Sequence, residues 1–106
     1  MEMPPFGLVA GCAVDGLTGA LLPGTSPANI VSTVKNGPGL GNYTVNLGQG
    51  IGAGNALPVL TLANAGTGTG RVGFISPTAW NVLTFDNAGA PVDSDFVFGL
   101  LRLSLS

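Results

Sequence analysis

Tyr43-Thr44-Val45-Asn46-Leu47 alternates apolar and polar side chains residue by residue. That is the two-residue period of a strand with one buried face: Tyr43, Val45 and Leu47 point one way, Thr44 and Asn46 the other. The preceding run, Ile30-Val31-Ser32-Thr33-Val34, is β-branched and is closed by the turn formers Asn36-Gly37-Pro38-Gly39. Further upstream, Leu8 to Val14 stops at Asp15-Gly16. Downstream come Leu57 to Ala63, with Pro58 near its start where an edge strand tolerates it, then Arg71 to Ile75 and Trp80 to Phe85. The last run, Phe96 to Leu105, is apolar on both faces, with Val97, Leu101, Leu103 and Leu105 on one side and Phe96, Phe98 and Leu100 on the other. Such a strand belongs at the centre of a sheet or at a subunit interface.

Helical periodicity is missing, and 18 glycines and 8 prolines leave few windows for a helix. About seven or eight short strands with frequent turns predict an all-β protein, an antiparallel β-sandwich or jelly roll. The 106 residues form a single domain, within which residues 1–29 have an extended N-terminal arm as their alternative. The Gly/Pro-rich stretch from Leu22 to Pro27 reads as a loop, and no internal repeat is present.

Composition excludes more than it selects. Lys and Arg number 3, Asp and Glu 5, so only 8% of residues are charged, against roughly 25% in an ordinary soluble domain. With Lys35, Arg71 and Arg102 as the only cations, no basic nucleic-acid patch can be built. No histidine is available for catalysis or metal ligation, and Cys12 has no partner for a disulfide within the chain. The start, Met1-Glu2-Met3-Pro4-Pro5, lacks the basic residues of a secretory signal, and no run reaches the roughly 18 apolar residues of a membrane span. A chain so poor in charge, yet 45% apolar, has little to keep its surface dispersed. Two surfaces are compatible with this: one covered by other subunits, which the charge depletion favours, or one kept soluble by Asn, Thr and Ser alone.

Several short motifs match chemical signatures, and most fail on physical grounds. Gly68-Thr69-Gly70-Arg71-Val72-Gly73 fits G-x-G-x-x-G, but Phe74-Ile75-Ser76-Pro77 continues as strand rather than as a helix whose N-terminus would receive a pyrophosphate, so the motif reads as a hairpin loop. Gly48-Gln49-Gly50-Ile51-Gly52-Ala53-Gly54 lacks the Lys of a phosphate-binding loop and reads as a mobile loop. Ser32-Thr33-Val34-Lys35 fits S-x-x-K, but an extended run sends Ser32 and Lys35 to opposite faces. Asp86, Asp93 and Asp95 are the one carboxylate cluster. They are able in principle to hold calcium or to act as paired acids, but are read as turn-capping residues around Gly89-Ala90-Pro91. Cys12 reads as an inert core thiol, Trp80 as a core or subunit-contact residue before a sugar platform, and Asn42-Tyr43-Thr44 as a glycosylation sequon without a secretory route. No metal, cofactor or catalytic residue is expected.

Two stretches, Gly41-Asn42-Tyr43-Thr44-Val45-Asn46-Leu47 and the hairpin from Trp80 to Phe98 containing Asp86-Asn87-Ala88-Gly89-Ala90-Pro91-Val92-Asp93-Ser94-Asp95-Phe96, carry a resemblance. They resemble a family of small β-sandwich modules in tailed-bacteriophage virion proteins, over roughly the C-terminal two-thirds of the chain. The resemblance implies a homotrimer, with capsid decoration, head fibre or tail-fibre tip as its roles, and it brings no catalytic residues. A chain starting at Met1 and too short for a fibre shaft fits a decoration (cement) protein that docks on the major capsid protein. It would be made in the host cytoplasm and located on the capsid surface of the virion, binding neither nucleic acid nor membrane. Trp80, Phe85, Phe98 and Leu101 are the expected subunit-interface residues. The alternatives are a fibre module recognising host glycan through loop 48–56 or 66–70 and, more distantly, a small hydrolase using the aspartates.

Overall fold

The computed structural model describes residues 6–23, 27–37, 39–52, 54, 56–62 and 68–103. Seven strands follow one another: β1 (Phe6–Val14), β2 (Ile30–Lys35), β3 (Asn42–Leu47), β4 (Ala56–Leu62), β5 (Thr69–Ser76), β6 (Ala79–Phe85) and β7 (Phe96–Leu103). No α-helix occurs among the described residues. The strands form two antiparallel sheets, one in the order β1-β7-β4 and the other β2-β3-β6-β5. Packed face to face, they make an antiparallel β-sandwich.

The alternation read at Tyr43–Leu47 appears as burial: along β3 every second residue, Tyr43, Val45 and Leu47, is buried, and β6 repeats the pattern with Trp80, Val82 and Thr84. The facing sheet supplies Ala10, Cys12 and Val14 from β1 and Phe96, Phe98 and Leu100 from β7. Each fully buried large side chain contributes about 1.5–3 kcal/mol through removal from water, so these four strands carry most of the stabilisation. β2, β4 and β5 add only flanking contacts through Ile30, Ala56, Leu60, Leu62 and Val72. Tyr43 and Phe96, from opposite sheets, meet with ring centroids 5.0 Å apart and planes tilted by 57°, a favourable aromatic arrangement.

β7 is the central strand of its sheet, paired with β1 on one side and β4 on the other. Its residues Phe96, Phe98 and Leu100 enter the core, and Val97, Gly99 and Leu101 between and after them face outward. The segment after β1 closes that strand's free edge: Leu22 N–H donates to the Ala13 carbonyl (2.9 Å), and Ala28 and Gly11 exchange two backbone hydrogen bonds of 2.9 and 3.0 Å. Phe6–Val14 is thus a strand paired along its length with β7. Pro58 lies on β4, an edge strand, where a missing N–H is tolerated.

Gly68–Gly73, expected as a hairpin loop, is strand from Thr69 onward. β6 offers β5 a partner along its whole length, and a Cβ at Gly70 would meet the tip of the Leu60 side chain on the facing sheet. Leu105, Ala63 and residues 66–67 lie outside the described residues. Phe98→Ala should cost about 3–5 kcal/mol in denaturant unfolding, because Phe98 is fully buried between the sheets. Val31→Ala, at a residue that is 68% exposed, should cost under about 0.5 kcal/mol.

Candidate functional site: an uncharged sheet face and an acidic clasp

The aspartates cluster at one end of the sandwich, and their hydrogen bonds show what they do. Asp86 caps its own turn: its Oδ1 accepts from the N–H groups of Ala88 (2.9 Å) and Ala90 (3.0 Å). That is the local turn chemistry expected of Asp-Asn. Asp93 and Asp95, expected to behave likewise, instead reach across the fold. Asp93 Oδ2 pairs with Lys35 Nζ at 2.5 Å, and its Oδ1 accepts from Gly41 N–H at 2.8 Å. Asp95 Oδ1 accepts from Gly16 N–H at 2.7 Å, and the buried Tyr43 hydroxyl donates to the Gly16 carbonyl at 2.6 Å. The local reading fails because the segment leading into β7 must be placed against the turns after β1 and before β3, and side-chain oxygens satisfy their exposed N–H groups.

Partial burial works against the Asp93 charge, but hydrogen bonds from Lys35, Gly41 and Tyr43, with the Lys35 charge, outweigh it and hold the carboxyl below the ordinary aspartate range. Burial first, and then the Asp93 charge, push the Tyr43 hydroxyl up. Gly41 has φ of 63°, and a Cβ there would collide with the Thr84 and Val92 carbonyls, so only glycine can present its N–H to Asp93. Among the described residues no group of three or more His, Cys, Asp or Glu could hold a metal ion. The aspartates are engaged as structural ties.

The remaining motifs resolve similarly. Ser32 Oγ accepts from Asn46 Nδ2 at 3.1 Å while Lys35 is held by Asp93, so the S-x-x-K pair is split between two networks. Loop 48–52, expected to be mobile, is tied down: Gln49 N–H donates to Asn29 Oδ1 at 2.7 Å and Ile51 N–H to the Pro77 carbonyl at 2.7 Å. Ala53 and Asn55 of the same loop lie outside the described residues. Cys12 is buried, and burial pushes its thiol up to about 11. Asn42 of the sequon accepts hydrogen bonds from Asn36 (3.0 Å) and Asn81 (2.8 Å).

The two outer faces of the sandwich differ in kind. On the four-stranded sheet, Asn36, Asn42, Thr44 and Asn81 form one hydrogen-bonded cluster of neutral polar groups and Asn46 with Ser32 a second, while Val31, Val34 and Ile75 of the same sheet are exposed. On the three-stranded sheet, the register sets Gly11, Gly99 and Val59 in one row and Ala13, Val97 and Thr61 in the next, with Leu101 and Leu57 beyond. No charged residue is among them. Val97 is 50%, Leu57 52% and Val59 44% exposed, and the glycine row sinks the middle into an apolar groove of about 400 Å³.

Of the four residues expected at a subunit interface, Trp80 and Phe98 are core residues, 3% and 0% exposed, so their apolar surface is already covered within the chain. Trp80 is met edge-on by Phe74 at 5.2 Å, and its Nε1 has no hydrogen-bond partner among the described residues. Phe85 is half-buried under the Arg71 guanidinium, 6.0 Å from the ring centroid. Leu101 alone lies on the uncharged face. Val97, Val59 and Leu57 also lie exposed on this face; the two-sided apolarity of the last strand is the signal that a second apolar face exists.

No protein-family model, curated protein or solved structure matches the chain. Among the described residues, no helix is long and apolar enough to cross a membrane. The class defined by the fold is therefore an antiparallel two-sheet β-sandwich.

Asp93→Asn should destabilise the protein by about 1–3 kcal/mol near neutral pH by leaving Lys35 uncompensated. Because the folded-state pKa of Asp93 is lowered, its stabilisation is full above the ordinary aspartate value of about 3.9 and is lost as pH falls through the folded value. The wild-type and variant urea midpoints should therefore converge in acid. Native protein should react slowly with a disulfide reagent at neutral pH, and stoichiometrically once unfolded, because the Cys12 thiol is buried.

Proposed function

We propose that the protein is a non-enzymatic structural component that assembles with copies of itself and with a larger particle through the uncharged face of β1, β7 and β4. The observation that carries this reading is the outer face of the three-stranded sheet, where Val59, Val97 and Leu101 surround a glycine-floored groove with no charged residue among its lining. Depletion of charge with retention of aliphatic surface is the composition of an interface centre. The virion role is the most concrete form of the proposal: a homotrimeric capsid decoration protein docking on the major capsid protein. The resemblance of Gly41–Leu47 and Trp80–Phe98 to bacteriophage virion modules supports it.

The dimensions bear on how such docking would work. Three strands about 5 Å apart and about 23 Å long offer a projected area of roughly 300 Å², well short of the about 800 Å² per partner of a standard stable interface. One copy would bind weakly. Several copies held together by their own contacts would gain from effective concentration, which favours an oligomer engaging a repetitive surface. Its task would be mechanical, adding contacts that internal pressure must break.

Light scattering of the purified protein should give a mass three times that of the 10.5 kDa chain. The double variant Val59→Asp, Val97→Asp should give a single-chain mass with an unchanged far-UV spectrum, since both side chains point outward. A wild-type protein that stays monomeric at high concentration and shows no affinity for a viral shell would overturn the proposal.

A further inference from the structure

At the opposite end of the sandwich from the clasp, the charge pattern reverses. In the antiparallel β1–β7 pair, Val14 faces Phe96 at one end and Gly7 faces Arg102 at the other. Asp15, Asp86, Asp93 and Asp95 all lie at the first end. Arg102 stands at the second, with no carboxylate near it among the described residues. There Arg102, Asn29, Gln49, Gly50, Ile51 and Gly52 line a predominantly polar cup of about 320 Å³.

The cup is built rather than incidental. Asn29 adopts φ of 55°, and its side chain grips the Gln49 backbone from both sides, Oδ1 accepting from the N–H at 2.7 Å and Nδ2 donating to the carbonyl at 3.0 Å. Gly48 N–H donates to the Asn29 carbonyl at 3.2 Å, and Ile51 N–H is anchored on Pro77 at 2.7 Å. The loop is thus held on both sides of Gly50. The N–H groups of Gly50 and Gly52 and the Gln49 carboxamide have no hydrogen-bond partner among the described residues.

We propose that this cup binds a small hydroxylated carboxylate, of the size of one sugar acid. A guanidinium presents two parallel N–H donors that match a carboxylate's two oxygens. A single positive charge, with no second cation among the described lining residues, matches a monoanion. The Gln49 carboxamide donates and accepts, as ring hydroxyls require, and Ile51 offers an apolar wall to a sugar's C–H face. The site is independent of the docking face: it lies at the end of the sandwich, and either proposal can fail alone.

The test is an amide-resolved NMR titration of the whole protein with glucuronate and N-acetylneuraminate, with glucose, acetate and inorganic phosphate in parallel. The sugar acids should give saturable shifts at Gly50 and Gly52. Arg102→Gln should weaken binding at least about tenfold while leaving the unfolding midpoint unchanged, since Arg102 is exposed and without an ion-pair partner among the described residues. Arg71→Gln, away from the cup, should bind as wild type does. Sugar-acid binding well above that of acetate would support the proposal. Absence of shifts, an equal response to glucose or to acetate, tighter binding of phosphate, or full binding by Arg102→Gln would overturn it.

Discussion

The Asp93 carboxylate ties together one end of the sandwich. It joins Lys35 at the end of β2 to Gly41 and Tyr43 at the start of β3, across sequence separations of 58, 52 and 50 residues. Tyr43 passes the connection on to Gly16 after β1, and Asp95 reaches the same Gly16. Three of the four core-building strands are thereby tied at one end. β7 enters its sheet as the central strand from this clasp, and a slip of one residue would turn Phe96, Phe98 and Leu100 outward and Val97 and Leu101 inward. A strand that is apolar on both sides cannot choose its inward face from hydrophobicity alone. The clasp supplies the choice.

With few charges available, their use is informative. The single ion pair among the described residues serves the clasp, and the four-stranded sheet keeps its outer face hydrated with neutral amides and hydroxyls that bond one another. The three-stranded sheet has neither device. Hydrogen-bonded Asn, Thr and Ser are thus concentrated on one side of the molecule, with Val31, Val34 and Ile75 exposed on the same sheet, and the glycine-floored apolar groove lies on the other. Stability and surface chemistry thus divide by strand: β3 builds core on one side and a polar exterior of Asn42, Thr44 and Asn46 on the other, whereas β7 builds core on one side and bare apolar surface on the other.

Most of the architecture is legible in the chain. The expected strand runs fall within a residue or two of β2, β3, β4 and β6, because periodic burial and Gly/Pro/Asn turns act locally. The Asp86 turn is legible too, since Asp-Asn caps its own backbone whatever surrounds it. Strand β5 is only half legible: glycines at 68, 70 and 73 suggest a loop, and the reason for Gly70, the close approach of Leu60, lies in the opposite sheet. Asp93 and Asp95 pass for local caps because their partners lie far away in the chain. Trp80 and Phe98 pass for interface residues because large aromatics fit either setting.

Read alone, the chain specifies a class of structure and limits its side-chain chemistry: alternating short runs make sheets, and the sequence carries no histidine, three cations and one cysteine. Closure of the two sheets then settles which face of β7 is core, which glycines are required, what Asp93 and Asp95 hold, and that Arg102, Asn29 and loop 48–52 converge on one cup. The division follows from range. Periodicity and turn chemistry are properties of neighbouring residues, whereas inward choice, close approach and convergent donors depend on strands far apart in the chain that meet only in the folded molecule.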